Sequence, residues 1–68
     1  MIEQRSMVVN YLLAAQDCLL EGQPTLALAF AKRALSEANT FNDHVRKPTI
    51  MRVINYLRLV VRRSEVQS

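Results

Sequence analysis

Apolar positions recur at helical spacing through most of this chain. Val8, Tyr11, Leu12, Ala15, Cys18 and Leu19 fall three or four residues apart, on one face of a helix. Val9, Leu13 and Leu20 form a second stripe beside them, and the polar stripe of Asn10, Asp17 and Glu21 is narrow. A helix that is apolar around most of its circumference is covered on more than one side. This first helix, about residues 3–21, is therefore expected to touch the third helix or a second chain besides its hairpin partner. Gly22 and Pro24 mark a turn, because glycine suits the residue past a helix end and proline suits the first helical position. A second helix follows over about 24–38, with Ala27, Ala31, Ala34 and Ala38 on one face and Phe30 and Leu35 flanking them.

From Asn39 to Lys47 the helical signal weakens. Asn39, Thr40, Asn42 and Asp43 have side chains that compete with the helix backbone for hydrogen bonds. Phe41 and Val45 nevertheless continue the apolar spacing, so the segment reads as a connecting loop that tucks Phe41 against the core. Pro48 opens a third helix, about 48–63, in which Ile50, Val53, Ile54, Leu57, Val60 and Val61 keep a regular helical period. Its far side carries Arg52, Asn55, Arg62 and Arg63, with Tyr56 and Leu59 among them. Residues 64–68 are polar and predict a frayed tail. The expectation is one all-α domain over residues 1–68: an antiparallel helical hairpin plus a third amphipathic helix.

Size changes this picture. A chain of 68 residues buries only about 60% of its unfolded surface, and domains this small often need a disulfide, a metal or a second chain. Cys18 is the only cysteine, so no disulfide forms within the chain. His44 is the only histidine and no Cys/His cluster exists, so no metal and no cofactor is expected. Support from a homodimer or another protein is what remains. Val9, Leu13, Leu20, Leu57 and Val60 are the residues assigned to self-association, through helices 1 and 3. The apolar run from Met7 to Leu20 is interrupted by Asn10, Gln16 and Asp17 and is too short to span a bilayer. No membrane contact is expected, and a lone free thiol suits a reducing compartment, so a cytoplasmic location is expected.

Charge is segregated. Residues 1–43 carry Arg5, Lys32 and Arg33 against Glu3, Asp17, Glu21, Glu37 and Asp43, a net −2. Residues 44–68 carry Arg46, Lys47, Arg52, Arg58, Arg62 and Arg63 against Glu65 alone, a net +5. A basic end of this kind suits an acidic protein surface, a nucleic acid, or the acidic part of a second copy. Nucleic-acid binding would use the Arg-rich face of helix 3, with Asn55 or an arginine reading a base edge. Two features favour a protein instead: the connection before helix 3 is longer than the three or four residues of a DNA-reading helix–turn–helix, and Tyr56 and Leu59 interrupt the basic face.

Catalytic chemistry finds little support. Cys18 lies within an apolar helical face and His44 in a loop, whereas a nucleophile and its base must stand within hydrogen-bond reach. A small buried thiol and a solvated imidazole are the plainer readings. Asp17 and Glu21 read most simply as a solvated face, and a single glycine, Gly22, makes no phosphate-binding loop. The chain is expected to be no enzyme.

Tyr11, Ala15, Gly22, Ala27 and Ala34 stand at the spacings of one tetratricopeptide repeat, and residues 11–39 resemble a single such helical hairpin. The chain departs from that pattern at Ala14, where the family prefers leucine, at Cys18, where it prefers tyrosine, and at Ala31, where it prefers an aromatic. Asn39 replaces the usual closing proline. The resemblance implies protein binding without chemistry, a capping role for helix 3, and a binding surface on the first helix at Asn10, Leu13, Asp17, Leu20 and Glu21.

Together these readings predict a small adaptor, chaperone-like subunit or regulatory inhibitor that binds another protein stoichiometrically. The expected partner has an apolar segment and an acidic surface. Leu13, Leu20, Tyr56 and Leu59 are the expected anchors, and Arg58 and Arg62 the steering charges, with Asn10 and Asp17 at the edge.

Overall fold

The computed structural model describes residues 7–67, and all of its regular structure is helical: α1 (Met7–Leu20), α2 (Pro24–Thr40) and α3 (Lys47–Gln67). Residues 1–6, of which 3–6 are expected in helix 1, and Ser68 lie outside the described residues. Short connections between consecutive helices make them antiparallel, so α1 and α3 run in the same direction. Both pack chiefly on α2, which is the central element.

The alanine stripe explains why α2 is central. Ala27, Ala31, Ala34 and Ala38 have no exposed surface. A row of methyl groups leaves a shallow face on which two helices can lie at close range, since interaxial distance follows the side chains at the contact. Val8, Ala15 and Cys18 come down on that row from α1, and Ile50, Ile54 and Leu57 come from α3. Tyr11 and Phe30 close one flank as a stacked pair with ring centroids 6.3 Å apart. The buried set contains no polar residue.

Both helix ends inside the chain stop by the same device. Gly22 takes φ +78, the Gln23 N–H donates to the Cys18 carbonyl at 2.9 Å, and the Gly22 N–H donates to that of Leu19 at 3.1 Å. This is a Schellman closure, which satisfies carbonyls that the helix end would otherwise orphan. At the end of α2, Asn42 takes φ 54, the Asp43 N–H donates to Ala38 at 2.8 Å, and the Asn42 N–H donates to Asn39 at 3.3 Å. Asparagine is one of the few side chains that visits this left-handed region readily. Pro24 then opens α2 at a position where no N–H is needed.

Three local expectations require correction. Helix 2 continues two residues further than expected, to Thr40, whose hydroxyl donates back to the Ser36 carbonyl at 3.0 Å. Phe41 is not tucked against the core; it is 72% exposed. Phe41 is the residue just past the end of α2, with φ −103, so the register that links Ala38 to Phe41 in a continuing helix stops at Thr40. The expected frayed tail from Ser64 is helical as far as Gln67, since no proline or glycine interrupts α3 there.

Candidate protein-binding groove

With α1 and α3 laid side by side on α2, a groove opens between them. Leu12, Ala15, Gln16 and Leu19 form the α1 wall, and Arg52, Val53, Tyr56 and Leu57 form the α3 wall. Its volume is about 380 Å³, and its surface is almost wholly apolar. At the far end Leu19, Val60 and Arg63 come together near Gly22 and Pro24.

Helix geometry decides what borders this groove. Residues step about 100° around a helix, so positions four, seven and eleven apart share a stripe. Arg52, Tyr56, Leu59 and Arg63 form one such stripe on α3, next to the groove. Met51, Asn55, Arg58 and Arg62 form another on the opposite flank, since Arg58 lies about 200° from Tyr56. On α1, Leu13, Gln16 and Leu20 border the groove on its outer side, with Asp17 just beyond.

Leu13, Leu20, Tyr56 and Leu59 are 48%, 77%, 57% and 54% exposed, and of these four Tyr56 alone is among the residues that line the groove. Asn10 and Asp17 are exposed on the outer side of α1. The expected steering charges do not join Tyr56. Arg58 and Arg62 are exposed on the far flank of α3, and the guanidinium groups beside Tyr56 belong to Arg52 and Arg63. Spacing alone contained this distinction, because Arg58 stands two residues from Tyr56, whereas Arg52 stands four away and Arg63 seven.

The self-association set also changes. Leu57 is 2% exposed and belongs to the chain's own core, so it offers no surface to a second copy. Val9 and Val60 are half-buried, and Val60 lines the end of the groove. Leu13 and Leu20 do not pack under helix 3 within the chain and remain accessible.

Electrostatics at the groove come from whole side chains. Asp17 is the one charged residue within α1, with Glu21 immediately after it, while the α3 rim carries Arg52 and Arg63. Neither Asp17 nor Glu21 lines the groove, and the charged side chains at its edge are those of Arg52 and Arg63. Among the described residues, the one carboxyl with a resolved perturbation lies elsewhere, in the α2–α3 connection. There the Arg46 guanidinium donates to Asp43 Oδ2 at 2.7 Å, and the Arg46 N–H donates to Oδ1 at 3.3 Å. The side-chain hydrogen bond from Arg46 holds the Asp43 carboxyl below its ordinary pKa.

Cys18 is buried and His44 exposed. Among the described residues no cluster of three or more His, Cys, Asp or Glu is placed to hold a metal ion, and no helix is long and apolar enough to cross a membrane. No family model, curated protein or solved structure matches this chain.

Proposed function

We propose that this chain is a non-catalytic helical module that works by stoichiometric binding of another protein, as an adaptor, a chaperone-like subunit or a regulatory inhibitor in the cytoplasm. One observation carries the reading. The α1–α3 groove is almost wholly apolar, Tyr56 lines it while more than half exposed, and Leu13, Leu20 and Leu59 are further exposed large apolar residues of the same two helices. Contiguous exposed apolar surface bordered by charge is the mark of a protein-contact site. A helical or extended apolar segment seats in the groove, as amphipathic helices do in comparable clefts. Arg52 and Arg63 then meet carboxylates beside that segment and raise the encounter rate. The tetratricopeptide-like spacing of residues 11–39 supports the same class of function and names no partner.

A second reading rests on the other basic flank. Arg58 and Arg62 lie in one exposed stripe with Asn55, away from the groove, and suit phosphate contacts. Site-specific photo-crosslinking in the producing cell separates the two. A benzophenone side chain at position 56 should form adducts with polypeptide, and one at position 58 should not. Adducts with nucleic acid from position 58, and none with polypeptide from position 56, would replace the first reading with the second.

A further inference from the structure

We propose that the occupant of the groove is an α-helix of another protein, amphipathic over three or more turns, with two carboxylates eleven residues apart on the flank that lies over α3. The proposal rests on the reading of the groove as a protein-docking site, and it names the chemistry of the partner. Charge complementarity gives one half of the argument. The charged side chains at the edge of the groove are those of Arg52 and Arg63, both on α3. Neither has a carboxylate partner among the described residues. On the α1 wall Gln16 is the one polar side chain, beside Leu12, Ala15 and Leu19. A matching partner is therefore acidic on one flank and uncharged on the other.

Spacing gives the other half. Arg52 and Arg63 are eleven residues apart on one helix, which sets them about 16 Å apart along α3 and about 20° apart around it. A second helix lying along the groove repeats that spacing, so carboxylates at its own positions i and i+11 meet both guanidinium groups. An extended segment does not. At about 3.3 Å per residue it covers the same distance in five residues, and an odd separation turns the two side chains to opposite faces. Its backbone would also go unpaired. The walls of the groove are helices, whose N–H and C=O groups bond within themselves. Among the lining side chains only Gln16, Arg52 and Tyr56 carry hydrogen-bonding groups. A buried backbone group without a partner costs about as much as a lost hydrogen bond, whereas a helix satisfies its own. With such a helix in place, α1, α2, α3 and the partner form a four-helix bundle.

The test uses labelled sixteen-residue probe peptides, read by fluorescence anisotropy against the purified chain. Each probe carries leucines on one helical face and glutamates at its second and thirteenth positions. Two versions set the glutamates on one side or the other of the leucine face, which covers both directions in which a helix can lie in the groove. A further pair carries lysines in place of the glutamates, and a control of the same composition is interrupted by proline so that it forms no helix. Wild type should bind a glutamate probe, and circular dichroism should show that probe gaining helix as it binds. The double variant Arg52→Glu, Arg63→Glu should bind the same probe about tenfold more weakly and should bind the lysine version in its place. Both positions are exposed, and circular dichroism checks that the variant keeps its helices. A wild-type chain that binds no glutamate probe, equal binding of the proline-interrupted control, or a variant whose preference does not exchange would each overturn the proposal. The broader reading is separable from it. Polypeptide adducts from position 56 in the producing cell, beside any of those results, would leave the docking site standing with an occupant of another form. The absence of any adduct from position 56 would remove the docking site as well.

Discussion

Leu57 and Leu20 are chemically identical and structurally opposite, which makes a sharp test of which surface is core and which is exposed. Leu57 is 2% exposed between α3 and the alanine stripe, while Leu20 is 77% exposed at the end of α1. Leu57→Ala removes buried methyl groups and leaves a cavity, a loss of about 2–5 kcal/mol. Leu20 keeps only about a quarter of its surface buried. Full burial of a leucine is worth about 1.5–3 kcal/mol, so Leu20→Ala should cost under about 0.7 kcal/mol in the isolated chain. A domain of this length has a total stability of roughly 3–10 kcal/mol, so the first change takes a large share of it and the second does not. The assay is urea unfolding followed by far-UV circular dichroism, at protein concentrations low enough to keep self-association out of the equilibrium. With a slope of about 1 kcal/mol/M, the midpoint should fall by about 2 M or more for Leu57→Ala and by less than about 0.7 M for Leu20→Ala. Equal shifts for the two variants, or a silent Leu57→Ala, would refute the assignment of Leu57 to the core.

Two further perturbations probe the connections. Gly22→Ala should destabilise by about 1–2 kcal/mol although an added Cβ meets nothing within 4 Å, because the whole penalty comes from φ +78; Gly22→Asn should cost less, as the thermal midpoints of the pair would reveal. Asp43→Asn should speed amide exchange in the first turn of α3 and remove one pH dependence. The folded carboxyl titrates below its unfolded value, so its contribution is complete above the unfolded pKa of about 4 and is lost as pH falls through the lower folded value. An acid limb of the stability curve that is unchanged in Asp43→Asn would contradict that linkage.

The helices were legible because each carries enough turns for the period to speak. Ile50, Ile54 and Leu57 stand on one side of α3 and are buried together, and the alanines of α2 line up at spacings that only a helix brings onto one face. Gly22 with Pro24 marked the first turn through backbone chemistry that has few alternatives. The second turn was harder to read. Asn42 performs the role of Gly22, but an asparagine also fits ordinary loops, and nothing in its neighbours announces a left-handed residue. Phe41 was misplaced for that reason, since apolar spacing carries information only while the helix continues. Leu13, Leu20 and Leu59 are legible in the sequence as apolar residues beyond what one hairpin buries, and the structure leaves them exposed. Which arginines stand on the stripe of Tyr56 follows from the 100° step between residues. Arg52 and Arg63 share a stripe with Tyr56, and Arg58 and Arg62 do not.

The division of α3 into two basic stripes has an energetic consequence. Exposed ion pairs are worth little individually and are screened by salt, so the arginines beside the groove orient a partner more than they hold it. In the proposed complex, burial of Leu13, Leu20, Tyr56 and Leu59 would supply the affinity. Binding at this face should therefore weaken only modestly with added salt, whereas phosphate binding by the Arg58 flank would fall steeply and log-linearly.

Hydroxyl-radical footprinting of the chain inside the producing cell, compared with the purified chain at high dilution, tests the central claim most directly. Phe41, Val45 and Met51 are internal controls, because they are exposed apolar residues away from the groove. The account predicts that Leu13, Leu20, Tyr56 and Leu59 lose reactivity together in the cell while the three controls keep theirs. Undiminished labelling at those four residues, or protection confined to the Met51–Arg62 flank, would contradict it.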